Sequence, residues 1–143
     1  MIAFLLMLVV IAIVDTKTME IPNGFVMIIG IISIMALVFQ ENLTLANRLL
    51  GFICISLPLL VIALVKPGAI GGGDIKLMAT SGLYLGVELT VLSFFIGATF
   101  GGVYGIWLLA RGKGRKEEFP LGPFLCAGMF IAIIANLILF TMK

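Results

Sequence analysis

Histidine is absent from the 143 residues, and charged side chains make up only 11% of them. Without histidine, the chain lacks the residue that most often acts as a general base or a metal ligand. A soluble domain carries roughly a quarter of its residues as charged ones, so this chain has too few to cover a surface that faces water. A net charge of +2, spread over short loops, also argues against a nucleic-acid partner.

Cysteine is scarce as well. Cys54 and Cys126 lie far apart in apolar runs and form no CxxC pair, which indicates neither a zinc site nor a redox motif. Small buried hydrophobic side chains are the simpler interpretation of both. We therefore expect no metal and no cofactor.

Hydrophobic residues dominate, at 62% of the chain with a mean hydropathy of +1.31. This composition predicts an all-α integral membrane protein, organised as a single domain over residues 1–143. The first segment, MIAFLLMLVV, lacks a basic start and a small-residue cleavage site, so it predicts a permanent helix rather than a secretory signal. Polar interruptions separate apolar stretches at about 2–15, 22–40, 47–65, 74–87, 89–110 and 121–141.

These stretches predict a bundle of about six transmembrane helices, of which the first and the fourth are short. Each short helix carries an aspartate at one end, Asp15 or Asp74. A short helix is compatible with a bundle when its polar end faces a water-filled cleft rather than lipid.

Loop charge predicts the orientation. The first, third and fifth loops together hold seven basic residues: Lys17, Lys66, Lys76, Arg111, Lys113, Arg115 and Lys116. The other side holds Arg48 and Lys143. The positive-inside rule then places the first set in the cytoplasm and both termini outside. Asp15 and Asp74 both fall on the cytoplasmic side, although neither entered the count.

Two carboxylates at one depth suggest acid–base chemistry. When Asp15 and Asp74 approach closely they do not easily both ionise, so one holds a proton near neutral pH. The ionised group can take a proton from water while the protonated one polarises a carbonyl, without histidine or metal. The plainer interpretation makes Asp74 an ordinary helix N-cap and Asp15 a marker of the headgroup boundary. The occurrence of both acids on one side favours the functional interpretation.

Glycines surround one of these acids. Gly71, Gly72 and Gly73 precede Asp74 without the Gly-Lys-Ser/Thr ending of a phosphate-binding loop. Glycines leave room for another backbone, so they predict space for an extended substrate strand and freedom to place Asp74. For Lys76, contact with lipid phosphate and contact with a substrate acid remain equally open.

Proline-containing segments open two helices on the same side. Pro22 and Asn23 begin the second helix, where proline tolerates a first turn and asparagine can cap it. Pro120, Gly122 and Pro123 begin the sixth.

Three segments resemble the motifs of type IV prepilin peptidases. DTKTMEIPN (15–23) resembles their first motif, GGGDIKLMA (71–79) their Gly-x-Gly-Asp motif with its following lysine, and FPLGPFLCAG (119–128) their proline-glycine-proline block. The three occur in the family's order, over a length about that of its catalytic domain. A lone Gly-x-Gly-Asp would be a weak signal, whereas the three together are specific.

The resemblance implies a membrane aspartyl protease that removes short basic leaders from prepilins or pseudopilins at the cytoplasmic face of the cell membrane. It implies that Asp15 and Asp74 are the catalytic pair and that Gly71 and Gly73 are the motif glycines. The Pro120–Pro123 block becomes a structural or substrate-lining element. The basic loop at 111–116 is expected to bind anionic lipid.

One departure concerns methyl transfer. Longer members of the family have an N-terminal cytoplasmic region with paired cysteines, linked to N-methylation of the new terminus. This chain starts at its first helix, so we expect a short form with peptidase activity and without methyltransferase activity.

A second class of function uses the same acids. A small proton-coupled transporter or channel subunit would employ Asp15 and Asp74 as titrating sites in a water-filled cleft. Such proteins often have related halves, which are not seen here. Depth discriminates the two, since transport favours acids near the bilayer centre and cleavage favours acids at its edge.

Overall fold

The structure, a computed structural model, describes residues 1–39, 43–111 and 120–142. Within these ranges the chain is helical and contains no strand, which confirms the all-α prediction. The described helical elements are α1 (Ile2–Thr18), α2 (Asn23–Phe39), α3 (Leu45–Cys54), α4 (Ser56–Val65), α5 (Gly72–Ala110) and α6 (Gly122–Thr141). Most of the loop at 111–116, and Lys143, lie outside the described residues.

The helices are those of a multi-pass membrane protein. In the described part of the chain, three helical stretches are long and apolar enough to cross a bilayer: Leu45–Val65, Gly72–Leu108 and Gly122–Thr141. Asn23–Phe39 is a shorter apolar helix. Six separate crossings remain a prediction, because the expected third helix is divided at Ile55 into α3 and α4, and the fourth and fifth are joined in α5.

α5 turns back on itself at Gly86. That residue has φ 75° and ψ 179°, a conformation almost confined to glycine. A straight helix of 39 residues would be about 58 Å long, yet both ends of α5 lie beside the start of α6. A β-carbon on Gly101 would meet Leu121, and Gly73 packs on Ile21, which also reaches Gly122. The interruption expected between the stretches 74–87 and 89–110 is therefore a break at one residue, Gly86, between a first arm (72–85) and a second arm (87–110).

Two side chains of α3 satisfy the backbone at this break. Asn47 Oδ1 accepts a hydrogen bond from the Val87 N–H at 2.8 Å. Arg48 Nη1 donates to the carbonyls of Leu83 and Tyr84 at 3.4 and 3.5 Å. Arg48 lies in α3 and is only 1% exposed, so it is a buried donor at the break. The side of the membrane on which it lies stays a prediction.

Close helix crossings hold the two arms in place. Gly51 of α3 faces Gly82 of the first arm, and Gly97 of the second arm faces Gly128 of α6. A β-carbon on any of these glycines would collide with the opposing backbone. Small residues at such crossings are a common way to associate helices in a bilayer.

Candidate active site

Asp15 ends the buried stripe of α1. Phe4, Leu8 and Ile11 point into the bundle at helical spacing, and Asp15 occupies the next inward position. The helix continues to Thr18 rather than ending at Asp15. The aspartate therefore lies in the last turn and is 4% exposed, instead of marking the boundary with lipid headgroups.

Asp74 begins the corresponding stripe of α5. It is the third residue of the helix, and Leu77, Met78 and Ser81 continue its buried face. Its backbone N–H donates to the Gly71 carbonyl at 3.1 Å. Asp74 is thus inside the first turn and 8% exposed, so the interpretation of it as an N-cap was wrong. An acid there still suits the positive end of the helix dipole.

The bundle brings the two acids together. The charge of Asp15 acts on Asp74, and the charges of both act on the thiol of Cys126, one turn into α6. Two buried carboxyl groups within each other's field favour a state with a single shared proton. The arrangement can therefore supply an acid and a base from the same residue type.

The start of α6 forms one wall around Asp15. Gly122 packs directly against the Asp15 carboxyl. A β-carbon on Gly122 would lie 2.5 Å from Asp15 Oδ2, so only glycine fits without displacing the acid. Pro123 lies in the first turn of α6 and Pro120 just before the helix. Asp15 Oδ2 is buried and has no hydrogen-bond partner among the described residues.

The three glycines before Asp74 have different surroundings. A β-carbon on Gly71 would lie 3.1 Å from Asp74 Oδ2, and one on Gly73 would lie 2.9 Å from the β-carbon of Ile21. Gly72 has nothing within 4 Å of that position. None of the three has positive φ, so their contribution is space rather than unusual backbone conformation.

Ile21 was not among the predicted site residues. It is 8% exposed and lies between Gly73 and Gly122, with its δ1 carbon 3.2 Å from a β-carbon position on Gly122. Cys126 was predicted only as a buried apolar residue, and it is buried, but it also faces both acids. Its position four residues after Gly122, on the same helix face, was the available signal.

A hydrogen bond joins the first two motifs. Lys76 Nζ donates to Asn23 Oδ1 at 2.9 Å, on the exposed side of the site. Asn23 is the first residue of α2, directly after Pro22, and its side-chain oxygen receives the lysine. Contact of Lys76 with lipid or substrate stays a prediction.

The described part of the chain offers few side chains that could bind a metal ion. No group of three or more histidine, cysteine, aspartate or glutamate side chains there is placed to hold an ion.

Comparisons with known proteins identify a family. A family model for the type IV leader peptidase family matches residues 2–106. A prepilin leader peptidase/N-methyltransferase of Bacillus subtilis is 31% identical over 135 residues, which are 93% of this chain and 54% of that protein.

Shorter alignments are found with proteins of the same name. The one from Burkholderia pseudomallei is 45% identical over 60 residues, covering 41% of this chain and 19% of that protein. The one from Legionella pneumophila is 39% identical over 64 residues, covering 44% and 22%. The chain thus spans about half the length of the Bacillus relative and about a fifth of the other two. No solved structure matches the chain.

Proposed function

Because the chain belongs to the type IV leader peptidase family, we propose that it is a membrane aspartic endopeptidase that removes short basic leaders from prepilins or pseudopilins. The observation that carries the proposal is the pair of buried acids, Asp15 and Asp74, within each other's field at the ends of two helices. Burial of two carboxyl groups side by side is costly for folding alone, which supports a functional reason for the pair.

Hydrolysis needs one proton on the pair. The ionised carboxylate removes a proton from a water molecule held between Asp15 and Asp74, and the water oxygen attacks the scissile carbonyl carbon. The protonated carboxyl group donates a hydrogen bond to the carbonyl oxygen as negative charge develops there. When the tetrahedral intermediate collapses, the C–N bond breaks and a proton passes to the leaving amine. The pair finishes with one proton and the peptide has gained one water.

The surrounding residues support this role in different ways. The open side of Gly71 and Gly72 offers an extended leader access to Asp74. Gly122 lines Asp15, with Pro120 and Pro123 fixing the start of α6. Lys76 holds Asn23 and, through the adjoining Pro22, the start of α2.

We propose that the acids face the cytoplasm and that both termini lie outside. The second arm of α5 supports this orientation, because it returns to the acids with an aromatic cluster and a cation at its end. Tyr104 stacks on Trp107 with ring centroids 5.7 Å apart, and the Arg111 guanidinium lies 3.9 Å from the Trp107 ring centroid. Aromatic residues of this kind occur at both membrane interfaces, whereas basic residues favour the cytoplasmic one, so it is Arg111 that supports this orientation. The basic loop after it would then meet anionic lipid.

The position of the acids supports hydrolysis over ion transport. Asp15 is in the last turn of its helix and Asp74 in the first turn of its own. A transported proton or ion would instead be expected to meet acids near the middle of the spanning segments. Helix-end acids are suited to a peptide that approaches from the membrane surface.

We also propose that these residues cleave without methylating the new terminus. The relatives are named as both peptidases and N-methyltransferases, whereas this sequence has two separated cysteines and no CxxC pair. Mass spectrometry of the cleaved product tests the point. An N-terminal mass higher by one methyl group, dependent on this chain alone, would contradict it.

Cleavage of a co-expressed prepilin reporter tests the main proposal. We expect the parent to remove the leader, and Asp15→Asn and Asp74→Asn each to lose cleavage while inserting in the membrane at parental levels. Glu88→Gln is the matched control, since it makes the same acid-to-amide change at an exposed position beyond Gly86. Full cleavage by either aspartate variant would contradict the two-acid mechanism.

A further inference from the structure

We propose that Ile21 is a positioning residue that sets the separation between the Asp15 and Asp74 carboxyl groups. The inference rests on the proposed peptidase function and assigns a role to a side chain that itself has no chemistry to offer. Ile21 touches the backbone next to each acid, and its own position is fixed from both sides along the chain.

The Ile21 side chain contacts Gly73 on one face and Gly122 on the other. Its β-carbon lies 2.9 Å from a β-carbon position on Gly73, the residue before Asp74. Its δ1 carbon lies 3.2 Å from the corresponding position on Gly122, a position that is also 2.5 Å from Asp15 Oδ2. One branched side chain therefore separates the backbone that carries one acid from the backbone that holds the other.

The connection from α1 to Ile21 is a tight turn. Met19 ends α1 with φ 54°, a conformation uncommon for a residue other than glycine. Thr18 Oγ1 lies 2.9 Å from the Glu20 carbonyl oxygen and 3.0 Å from the Val14 carbonyl oxygen, and its single hydrogen can be donated to either. Ile21 follows this turn directly and is six residues after Asp15, so the turn limits how far Ile21 can move from Asp15 in space.

The chain that follows Ile21 is attached to α5. Asn23, two residues later, accepts a hydrogen bond from Lys76 of α5. Lys76 lies two residues after Asp74, so the segment containing Ile21 is tied to the first turn of α5 by a polar contact as well as by packing. With both flanks held, shortening the side chain leaves a gap that the segment cannot readily close. We expect the turn of α5 that carries Asp74 to shift into that gap.

Graded truncation provides the kinetic test. Ile21→Val removes the δ1 carbon that faces Gly122 but keeps the β and γ1 carbons that face Gly73, and Ile21→Ala removes the γ and δ carbons. We expect kcat for leader cleavage per folded molecule to fall a few-fold in Ile21→Val and about tenfold or more in Ile21→Ala. KM should change less than twofold, because Ile21 is only 8% exposed and has little surface to offer a substrate.

Ile133→Ala is the matched control. Ile133 is similarly buried, 6% exposed, and lies on α6 at a distance of about 16 Å along the helix from Gly122. The same truncation there should lower the unfolding temperature and leave kcat per folded molecule unchanged. Equal kcat in Ile21→Ala and the parent would overturn the proposal, as would an equal loss of kcat in Ile133→Ala.

A cross-linking measurement reports the separation without relying on activity. In a Cys54→Ala and Cys126→Ala background, Asp15→Cys and Asp74→Cys are joined by a short thiol cross-linker of fixed length. We expect Ile21→Ala to change the cross-linking yield at least threefold and Ile133→Ala to leave it unchanged. An unchanged yield in Ile21→Ala would overturn the positioning role. If the parent failed to cleave any prepilin while the yield still depended on Ile21, the peptidase proposal would fail and the spacing role would stand.

Discussion

The two ends of the bundle bury charged side chains in opposite ways. At the break end, made up of Asn47, Arg48 and Gly86, the half-buried Asn47 amide and the buried Arg48 guanidinium each meet a backbone group beside the turn. At the acid end, made up of Asp15, Asp74 and Gly122, two buried carboxyl groups lie within each other's field, and Asp15 Oδ2 lacks a partner among the described residues.

The difference separates structural polarity from functional polarity. Arg48 and Asn47 serve the fold, because unsatisfied carbonyl and N–H groups inside a bilayer each cost several kcal/mol. The acids serve no such need, and their proximity opposes folding. An arrangement that is locally unfavourable, and is held by the packing of α1, α5 and α6, is typical of an active site. Variants at the two ends should therefore affect different properties.

The largest expected effect lies at the acid end. Asp15→Asn should reduce leader cleavage by about a thousandfold or more, because the amide cannot exchange the proton that hydrolysis requires. The unfolding temperature in detergent should stay the same or rise, since the change removes a buried charge that faces another acid. Both quantities are measured on the same purified sample.

A large fall in the unfolding temperature of Asp15→Asn would break the distinction between the two ends. It would indicate that the carboxylate is a structural acceptor, as Asn47 is at the break. Glu88→Gln again serves as control, with neither activity nor stability expected to change.

The next effect lies at the break end and concerns stability. Arg48→Met should lower the free energy of unfolding by about 2 kcal/mol, because the carbonyls of Leu83 and Tyr84 lose a charged donor. Cleavage per folded molecule should remain within about threefold of the parent. Chemical unfolding in mixed micelles measures the first quantity and the prepilin reporter the second. Arg48→Lys keeps the charge without the planar fork, so its free energy of unfolding should lie between those of the parent and Arg48→Met. Unchanged stability would show that the break does not depend on Arg48.

Much of this arrangement follows from sequence pattern. Apolar length predicts the helices, and the two acids and the motif glycines are visible as polar or small residues between apolar stretches. The buried stripe of α1 is not visible, because residues 2–14 are all apolar. The atoms nearest to Gly71 and Gly73 belong to the side chains of Asp74 and Ile21 rather than to another backbone.

Other features depend on contacts between distant segments, which periodicity does not specify. From the sequence, Arg48 counts only as a basic residue of the outer side, because its partners, the Leu83 and Tyr84 carbonyls, are brought to it only when α5 turns at Gly86. Asp74 resembles an N-cap because three glycines obscure where the helix begins. Ile21 resembles ordinary packing until Gly73 and Gly122 are brought to it.

A glycine pair sharpens the contrast at intermediate effect. Gly73→Ala places a β-carbon against Ile21, beside Asp74, and should reduce cleavage about tenfold by displacing the acid. Gly24→Ala is the matched control: Gly24 also lies in the first turn of a helix, and nothing is within 4 Å of its β-carbon position. Its cleavage should be unchanged, and its stability should rise by up to about 1 kcal/mol from helix propensity. Parental activity in Gly73→Ala would mean that the acid end tolerates movement and is less closely packed than the helix crossings.

The smallest effect is expected where the acid end reaches solvent. Lys76→Met removes the donor to Asn23, a single exposed hydrogen bond, and exposed contacts of this kind contribute at most about 1 kcal/mol. Cleavage should fall two- to fivefold, because the segment around Ile21 loses one of its two attachments to α5 and keeps the packing of Ile21 on Gly73. Asn23→Ala should reproduce the decrease, and the double variant should show no further loss, since both changes remove one interaction. Additive losses in the double variant would indicate that Lys76 acts on something other than Asn23. A rise in KM that occurs in Lys76→Met and not in Asn23→Ala would identify the other partner as an acidic group of the substrate.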